Sequence, residues 1–280
     1  MLIHGVDFTS APRRRKGITV ASGFLSRRTL NIERILTLES WAHFEEWLHY
    51  PGPWIGGFDF PFGLPREAVV DLGWPQTWPE LVRHCASLGR VGLRAALDQY
   101  RNSRTVGNKY PHRRGDRAAG SHSPVKLVNP PVALMFLEGA PRLLAAGVHM
   151  PATCRGDMNR IALEAYPGFA VRQLSKGRRP GSYKNDALGK QTLAQRHLRS
   201  AIVKQLVDSG LPGGVKLGAD FSVLKTLVFD GTGDRLDAVL CALQAAQAWR
   251  NRKVNFGLPR SLDPLEGWIA TVPAPVKIGA

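Results

Sequence analysis

Residues 1–60 read MLIHGVDFTSAPRRRKGITVASGFLSRRTLNIERILTLESWAHFEEWLHYPGPWIGGFDF, and the order of elements in this stretch decides the fold. Three apolar runs, at 2–8, about 17–25 and about 29–36, predict short strands. Turn chemistry separates them, with SAPRRRKG at the first junction and LSRR at the second. A helix follows, with Ser40 placed to cap it and Trp41, Phe44, Trp47 and Leu48 along one face. Pro51 and Gly52 stop the helix, and 54–60 is a fourth strand. The two aspartates of this stretch, Asp7 and Asp59, each close an apolar strand run.

Three antiparallel strands joined through a helix to a parallel fourth are the opening of a ribonuclease H-like fold. The expected class is therefore α/β, with a mixed five-stranded sheet flanked by helices. Residues 61–158 break the alternation and predict a mainly helical, basic insertion between strands four and five, with helices at about 76–100 and 131–147. Between those helices RNSRTVGNKYPHRRGDRAAGSHSP has no apolar period and reads as a loop that orders on a ligand. The run 160–166 predicts the fifth strand, and helical patterns cover about 187–209 and 234–250. One domain over 1–255 and a surface tail over 256–280 complete the expectation.

Strand ends in such a sheet converge at one edge, which would gather Asp7, Asp59 and Glu164 (in RIALEAYP). Asp237 joins them from the apolar helix DRLDAVLCALQAAQAW, and Asp234, three residues earlier, shares its face. Each has a plainer reading: Asp7 in a hairpin turn, Asp59 capping the turn at Pro61 and Gly63, Glu164 paired with Arg160 or Arg172, and Asp234 as a helix cap. Together, however, carboxylates at one edge repel and stay ionised only with cations between them. Two Mg²⁺ or Mn²⁺ ions, roughly 3.5–4 Å apart, can hold the attacking and leaving oxygens of an in-line displacement at phosphorus. Lys184, in SYKND, is placed to steady the phosphate.

Composition supports a polyanionic partner. The 280 residues carry 38 Lys and Arg against 22 Asp and Glu, a formal charge of +16, and 44% are apolar. Such a field concentrates nucleic acid, DNA or RNA. The basic residues cluster at Arg13, Arg14, Arg15 and Lys16, at Arg101, Arg104, Lys109, Arg113, Arg114 and Arg117, and at Arg172, Lys176, Arg178, Arg179 and Lys184. Backbone contacts from the loop 101–117 would give affinity without sequence choice, and Tyr100, Tyr110 and Trp74 are candidate stacking rings. No run reaches the roughly 18 apolar residues of a membrane span, and the N-terminus has no signal-peptide pattern. Cys85, Cys154 and Cys241 are odd in number with no CxxC pair, as in reduced cytoplasmic proteins. No HExxH, GxSxG or GxxxxGK[ST] pattern offers a rival chemistry.

GVDFTSAP, GFDFPFGLP, LEAYPGFAVRQL, SYKND and DRLDAVLCALQAA, in this order, resemble the predicted ribonuclease-H-like nucleases grouped as domain of unknown function 429. The resemblance covers about residues 3–250, and DRLDA is similar to the DxxDA motif of RuvC resolvases, where both acids serve the metal site. It implies that Asp7, Asp59, Glu164, Asp234 and Asp237 form the metal site, and that Arg114 and Asp116, in HRRGD, touch substrate. Asp59 stands where RuvC-like enzymes more often carry glutamate. The expected function is a metal-dependent nuclease. The alternatives are a non-catalytic nucleic-acid-binding protein on the same fold and an actin-like or sugar-kinase-like phosphotransferase. The last needs Gly-rich hairpins after strands one and four, where this chain has APRRRKG and FPFGLP. Oligomeric state is open, a homodimer included.

Overall fold

The computed structural model describes residues 1–175 and 181–274; Lys176, Arg178 and Arg179 lie outside the described residues. The opening follows the sequence expectation closely. Strands β1 (Leu2–Asp7), β2 (Ile18–Ser26) and β3 (Thr29–Leu38) lead into helix α1 (Trp41–Leu48) and strand β4 (Trp54–Phe58). Ser40 caps α1, its side chain accepting from the His43 amide at 3.2 Å. The inserted stretch contributes α2 (Arg66–Asp71), α3 (Trp78–Asn102), α4 (Arg114–Ala119), α5 (Val132–Ala146) and a two-residue strand β5 (Val148–His149). Then come β6 (Asp157–Glu164), α6 (Pro167–Leu174), α7 (Leu193–Asp208), β7 (Lys216–Ala219), α8 (Phe221–Phe229) and α9 (Asp234–Arg250).

The sheet has seven strands in the order β5-β6-β4-β1-β2-β3-β7, and β2 alone runs against the rest. The two strands beyond the expected five are short edge strands. With two and four residues, β5 and β7 are too brief to set up an alternating pattern. Both exist only because a longer neighbour, β6 or β3, offers its free backbone edge.

Alternate residues of the central strands feed two separate cores. Val6, Phe58 and Ala162 face one layer with Phe44 of α1, Leu81 of α3 and Leu134 of α5. Ile3, Ile55, Ile161 and Leu163 face the other, with α6, α7 and α9. The insertion therefore builds a whole face of the molecule rather than a lid added to it. Its basic segment is also not simply a loop. The Asp116 side chain accepts from the Arg113 amide at 2.9 Å at the start of α4, and Gly120 ends that helix in the left-handed conformation.

The expected surface tail is different again. Leu265, Trp268, Ile269 and Val272 are buried. Ile269 bridges Glu164 in parallel, the Ala270 amide donates to the Glu164 carbonyl at 2.8 Å, and Leu64 donates to Leu265 at 3.0 Å. Pro and Gly in this segment shape turns of a packed strap.

One contact fixes where the functional groups fall. Helix α9 lies directly across β1 and β4, where Gly5 and Gly57 leave no side chain between backbones. A Cβ on Gly5 would stand 2.0 Å from the Ala238 carbonyl, and one on Gly57 2.4 Å from that of Cys241. That close approach brings the first turn of α9, with Asp234 and Asp237, to the C-terminal ends of both strands. No helix among the described residues is long and apolar enough to cross a membrane, and Cys85, Cys154 and Cys241 are free thiols.

Candidate functional site

A cleft of about 700 Å³ opens at the C-terminal ends of β1, β4 and β6. Asp7, Asp59, Glu164, Asp234, Asp237 and Lys184 all line it, so the residues singled out from the sequence share one site. Within it they divide into two groups, and the pleat of the sheet makes the division. Val6 pairs with Phe58, and the Asp59 amide donates to the Val6 carbonyl at 2.9 Å. Asp7 and Asp59 are thus neighbours, each one residue beyond a core-facing aliphatic or aromatic side chain, and they belong to the α9 face. Glu164 pairs with Phe58 itself. It therefore turns to the opposite face, toward the insertion.

On the α9 face the acids outnumber the cations. Asp237 is fully buried and is bonded by the Tyr183 hydroxyl and the Lys184 ammonium. Among the described residues no hydrogen bond or ion pair reaches the carboxylates of Asp7 or Asp59. Burial pushes Asp59 up to about 7, with the charge of Asp237 adding to the effect. Asp7 is raised well above the carboxylate range by burial, and by Asp237, Asp234 and Asp59, against the pull of Lys184. Asp234 is raised too, by burial, while Lys16 draws it down. Burial alone would lower Lys184, yet Asp237, Tyr183 and Asp7 hold its ammonium well above the usual lysine range. Gly233, not Asp234, is the cap of α9, which leaves the Asp234 carboxylate free of that duty.

On the insertion face every carboxylate oxygen of Glu164 and Asp116 is hydrogen-bonded. Arg113 is 2% exposed and donates to both carboxylate oxygens of Glu164, at 2.5 and 2.7 Å. It also reaches Asp116 at 2.8 and 3.0 Å and the Glu266 carbonyl at 2.7 Å. Glu164 takes a further bond from the Phe62 amide at 2.9 Å, and Asp116 one from Ser121 at 2.8 Å. Burial raises Glu164 despite Arg113. The partner of Glu164 is thus Arg113, not Arg160, which bonds Asp157, nor Arg172, which bonds the Gly120 carbonyl. Sequence reading missed this pairing because 51 residues separate the two. The only local hint was the Arg113-to-Asp116 spacing of a capped helix.

Of the other basic residues singled out, Lys16 lines the cleft, whereas Arg13, Arg14, Arg15, Arg104, Lys109 and Arg114 do not. Arg13, Arg14 and Arg15 are exposed on the turn between β1 and β2, where Arg13 and Lys16 pair backbone to backbone. Lys16 bonds Asp186 at 2.7 Å. Arg114 is exposed and Lys109 half-buried. Arg104 is taken up by Glu67 and by Asp71 at 2.8 Å, away from the cleft. Of the candidate stacking rings, Tyr100 and Trp74 are core residues, and only Tyr110 is exposed.

A family model described as protein of unknown function (DUF429) matches residues 5–259. The chain belongs to the DUF429 family. The matched segment holds all five acids and Lys184, whereas the strap residues Leu265–Val272, which complete the surroundings of Glu164, lie beyond it. No curated protein and no solved structure matches the chain.

A divalent cation suits the α9 group in kind. The donors are carboxylate oxygens, those of Asp7, Asp59 and Asp234 without a hydrogen bond or ion pair among the described residues, and Mg²⁺ and Mn²⁺ favour such ligands. The fit is incomplete in arrangement. Among the described residues no three acids, histidines or cysteines are grouped to hold one ion. The cause is visible: Asp237 is engaged by Lys184, and Glu164 by Arg113.

Proposed function

We propose that the protein is a divalent-metal-dependent nuclease on a ribonuclease H-like fold, hydrolysing phosphodiester bonds of nucleic acid. The strand order β3-β2-β1-β4-β6, with β2 alone reversed, supports the fold reading. The observation that carries the functional reading is the uncompensated pair Asp7 and Asp59 at adjacent strand ends, beside Asp237, in the cleft of a chain with charge +16. Asp7 and Asp59 are half-buried, and holding such carboxylates side by side is unfavourable unless a cation comes between them.

Asp7, Asp59 and Asp237 would hold the metal, with Asp234 at the margin. When bound, the ion supplies charge neutralisation at phosphate and activation of water. Tyr183 keeps the Asp237 carboxylate oriented through its hydroxyl. Lys184, once released from Asp237, would pair with a phosphate oxygen in the cleft it lines. Lys16 and the exposed Arg13–Arg15 turn attract the backbone. Glu164 is assigned no ligand role here, because Arg113 already occupies both of its oxygens.

The test is cleavage of labelled single strands, duplexes, hybrids and branched junctions in Mn²⁺, wild type beside Asp7→Asn. Wild-type cleavage is expected, with the variant slower by about 10³-fold, since a lost metal ligand removes several kcal/mol of transition-state stabilisation. A second reading is favoured by the ion pairs that already engage Asp237 and Glu164: a nucleic-acid-binding protein that keeps the fold without the chemistry. It predicts salt-sensitive binding by both proteins and cleavage by neither.

A further inference from the structure

We propose that Phe229, flanked by Arg196 and Lys225, is a stacking platform for an unpaired base of a single-stranded nucleic acid lying beside the cleft. The inference rests on the nucleic-acid reading above and narrows it to substrates that carry an unpaired strand.

Helix α8 has the sequence FSVLKTLVF, yet only Leu227 of it is buried. Its two end rings face solvent, Phe221 being 81% and Phe229 57% exposed. A free phenylalanine is costly to hydrate and has a π face available. The Phe229 ring has cations at hand: the Arg196 guanidinium lies 4.7 Å from its centroid and the Lys225 ammonium 5.8 Å. Two other arginines that sit over rings are neutralised by acids, Arg104 over Tyr100 by Glu67 and Asp71, and Arg101 over Tyr110 by Asp98. Arg196 and Lys225 have no such acid among the described residues. The nearest acidic side chain in sequence, Asp230, spends its oxygens on Thr232 and on the Arg235 amide.

A ring with uncommitted cations around it is the chemistry that single-stranded nucleic acid recognises: bases stack, and phosphates pair with Arg and Lys. An uncharged apolar partner would instead bury both cations without compensation. The platform also lies next to the cleft. Buried Arg199 donates to the Tyr183 carbonyl at 2.6 Å and to the Val228 carbonyl at 2.9 Å. It thereby ties the cleft wall that carries Lys184 to the residue before Phe229. From Phe229 the chain reaches Asp234 in five residues. A strand with its phosphate at Lys184 can therefore place a neighbouring base on Phe229.

The test is fluorescence polarisation of one labelled oligonucleotide, as a single strand and as a duplex, with EDTA present so that catalysis plays no part. Phe229→Ala is expected to weaken single-strand binding roughly 5- to 100-fold, the loss of one stacked base, and to leave duplex binding unchanged. Phe229→Tyr keeps a ring and should bind as the wild type does, while Arg196→Gln should lower the salt dependence of single-strand binding. Because Phe229 is exposed, matching melting curves are expected for all three variants. Single-strand binding by Phe229→Ala equal to the wild type, or an equal loss on both ligands, overturns the platform and leaves the nuclease reading standing. Self-association that disappears in Phe229→Ala also overturns it. A wild type that binds neither ligand overturns the nucleic-acid reading itself.

Discussion

The two faces of one sheet edge carry the same kinds of groups and treat them in opposite ways. Toward the insertion, Glu164 and Asp116 share buried Arg113, and hydrogen bonds from Phe62, Ser121 and the Arg113 amide add to the same oxygens. Toward α9, Asp7, Asp59 and Asp237 face the Lys184 ammonium and Asp234 lies near Lys16, and among the described residues only Asp237 of the four carboxylates has a hydrogen bond or ion pair. Burial alone does not separate the two groups of acids, since Glu164 and Asp237 are both buried. What separates them is whether the fold supplies the counter-charge. A satisfied network stabilises a wall, whereas the unsatisfied one would, on the proposed reading, be completed by a cation.

The largest expected effect lies on the satisfied face. Arg113→Met leaves two carboxylates buried without a cation and should cost about 3–5 kcal/mol, read as a lowered denaturant midpoint. Adding Glu164→Gln should recover part of that loss. A cost of Arg113→Met below about 1 kcal/mol would remove the distinction between the faces.

The opposite sign is expected on the α9 face. The Asp59 carboxyl, ordinarily at 3.8, is pushed up to about 7 in the folded state by burial and by Asp237. Between those limits the folded protein binds more protons than the unfolded chain, so stability falls as pH rises through that window. In chelator, Asp59→Asn should therefore stabilise the protein at about pH 8 by on the order of 2 kcal/mol, and much less at about pH 5. Melting curves at the two pH values measure this, and Mg²⁺ should raise the wild-type midpoint most at the higher pH. A destabilised Asp59→Asn would mean that this face, too, is internally balanced.

The smallest effect sharpens the satisfied side. Ser121→Ala removes one bond to Asp116 while Arg113 remains, and should cost about 1 kcal/mol by the same denaturation measurement. A loss as large as that of Arg113→Met would show that the hydroxyl, rather than the guanidinium, secures Asp116.

The sequence by itself determined the opening β1-β2-β3-α1-β4, because alternating apolar runs, turn residues and the Ser40 cap are all local signals. It also placed Asp7, Asp59, Asp234 and Asp237 at element ends, since each acid follows or starts an apolar run. The edge strands β5 and β7 and the packed strap 265–272 were not legible, because they are defined by distant backbone partners rather than by their own pattern. Tertiary structure alone decided which acids lie together. Register put Glu164 level with Phe58 rather than Asp59, and a shift of one residue sends a side chain through to the other face. The pairing of Arg113 with Glu164, and the freedom of Asp7 and Asp59, follow from that parity and from the close approach of α9 over Gly5 and Gly57.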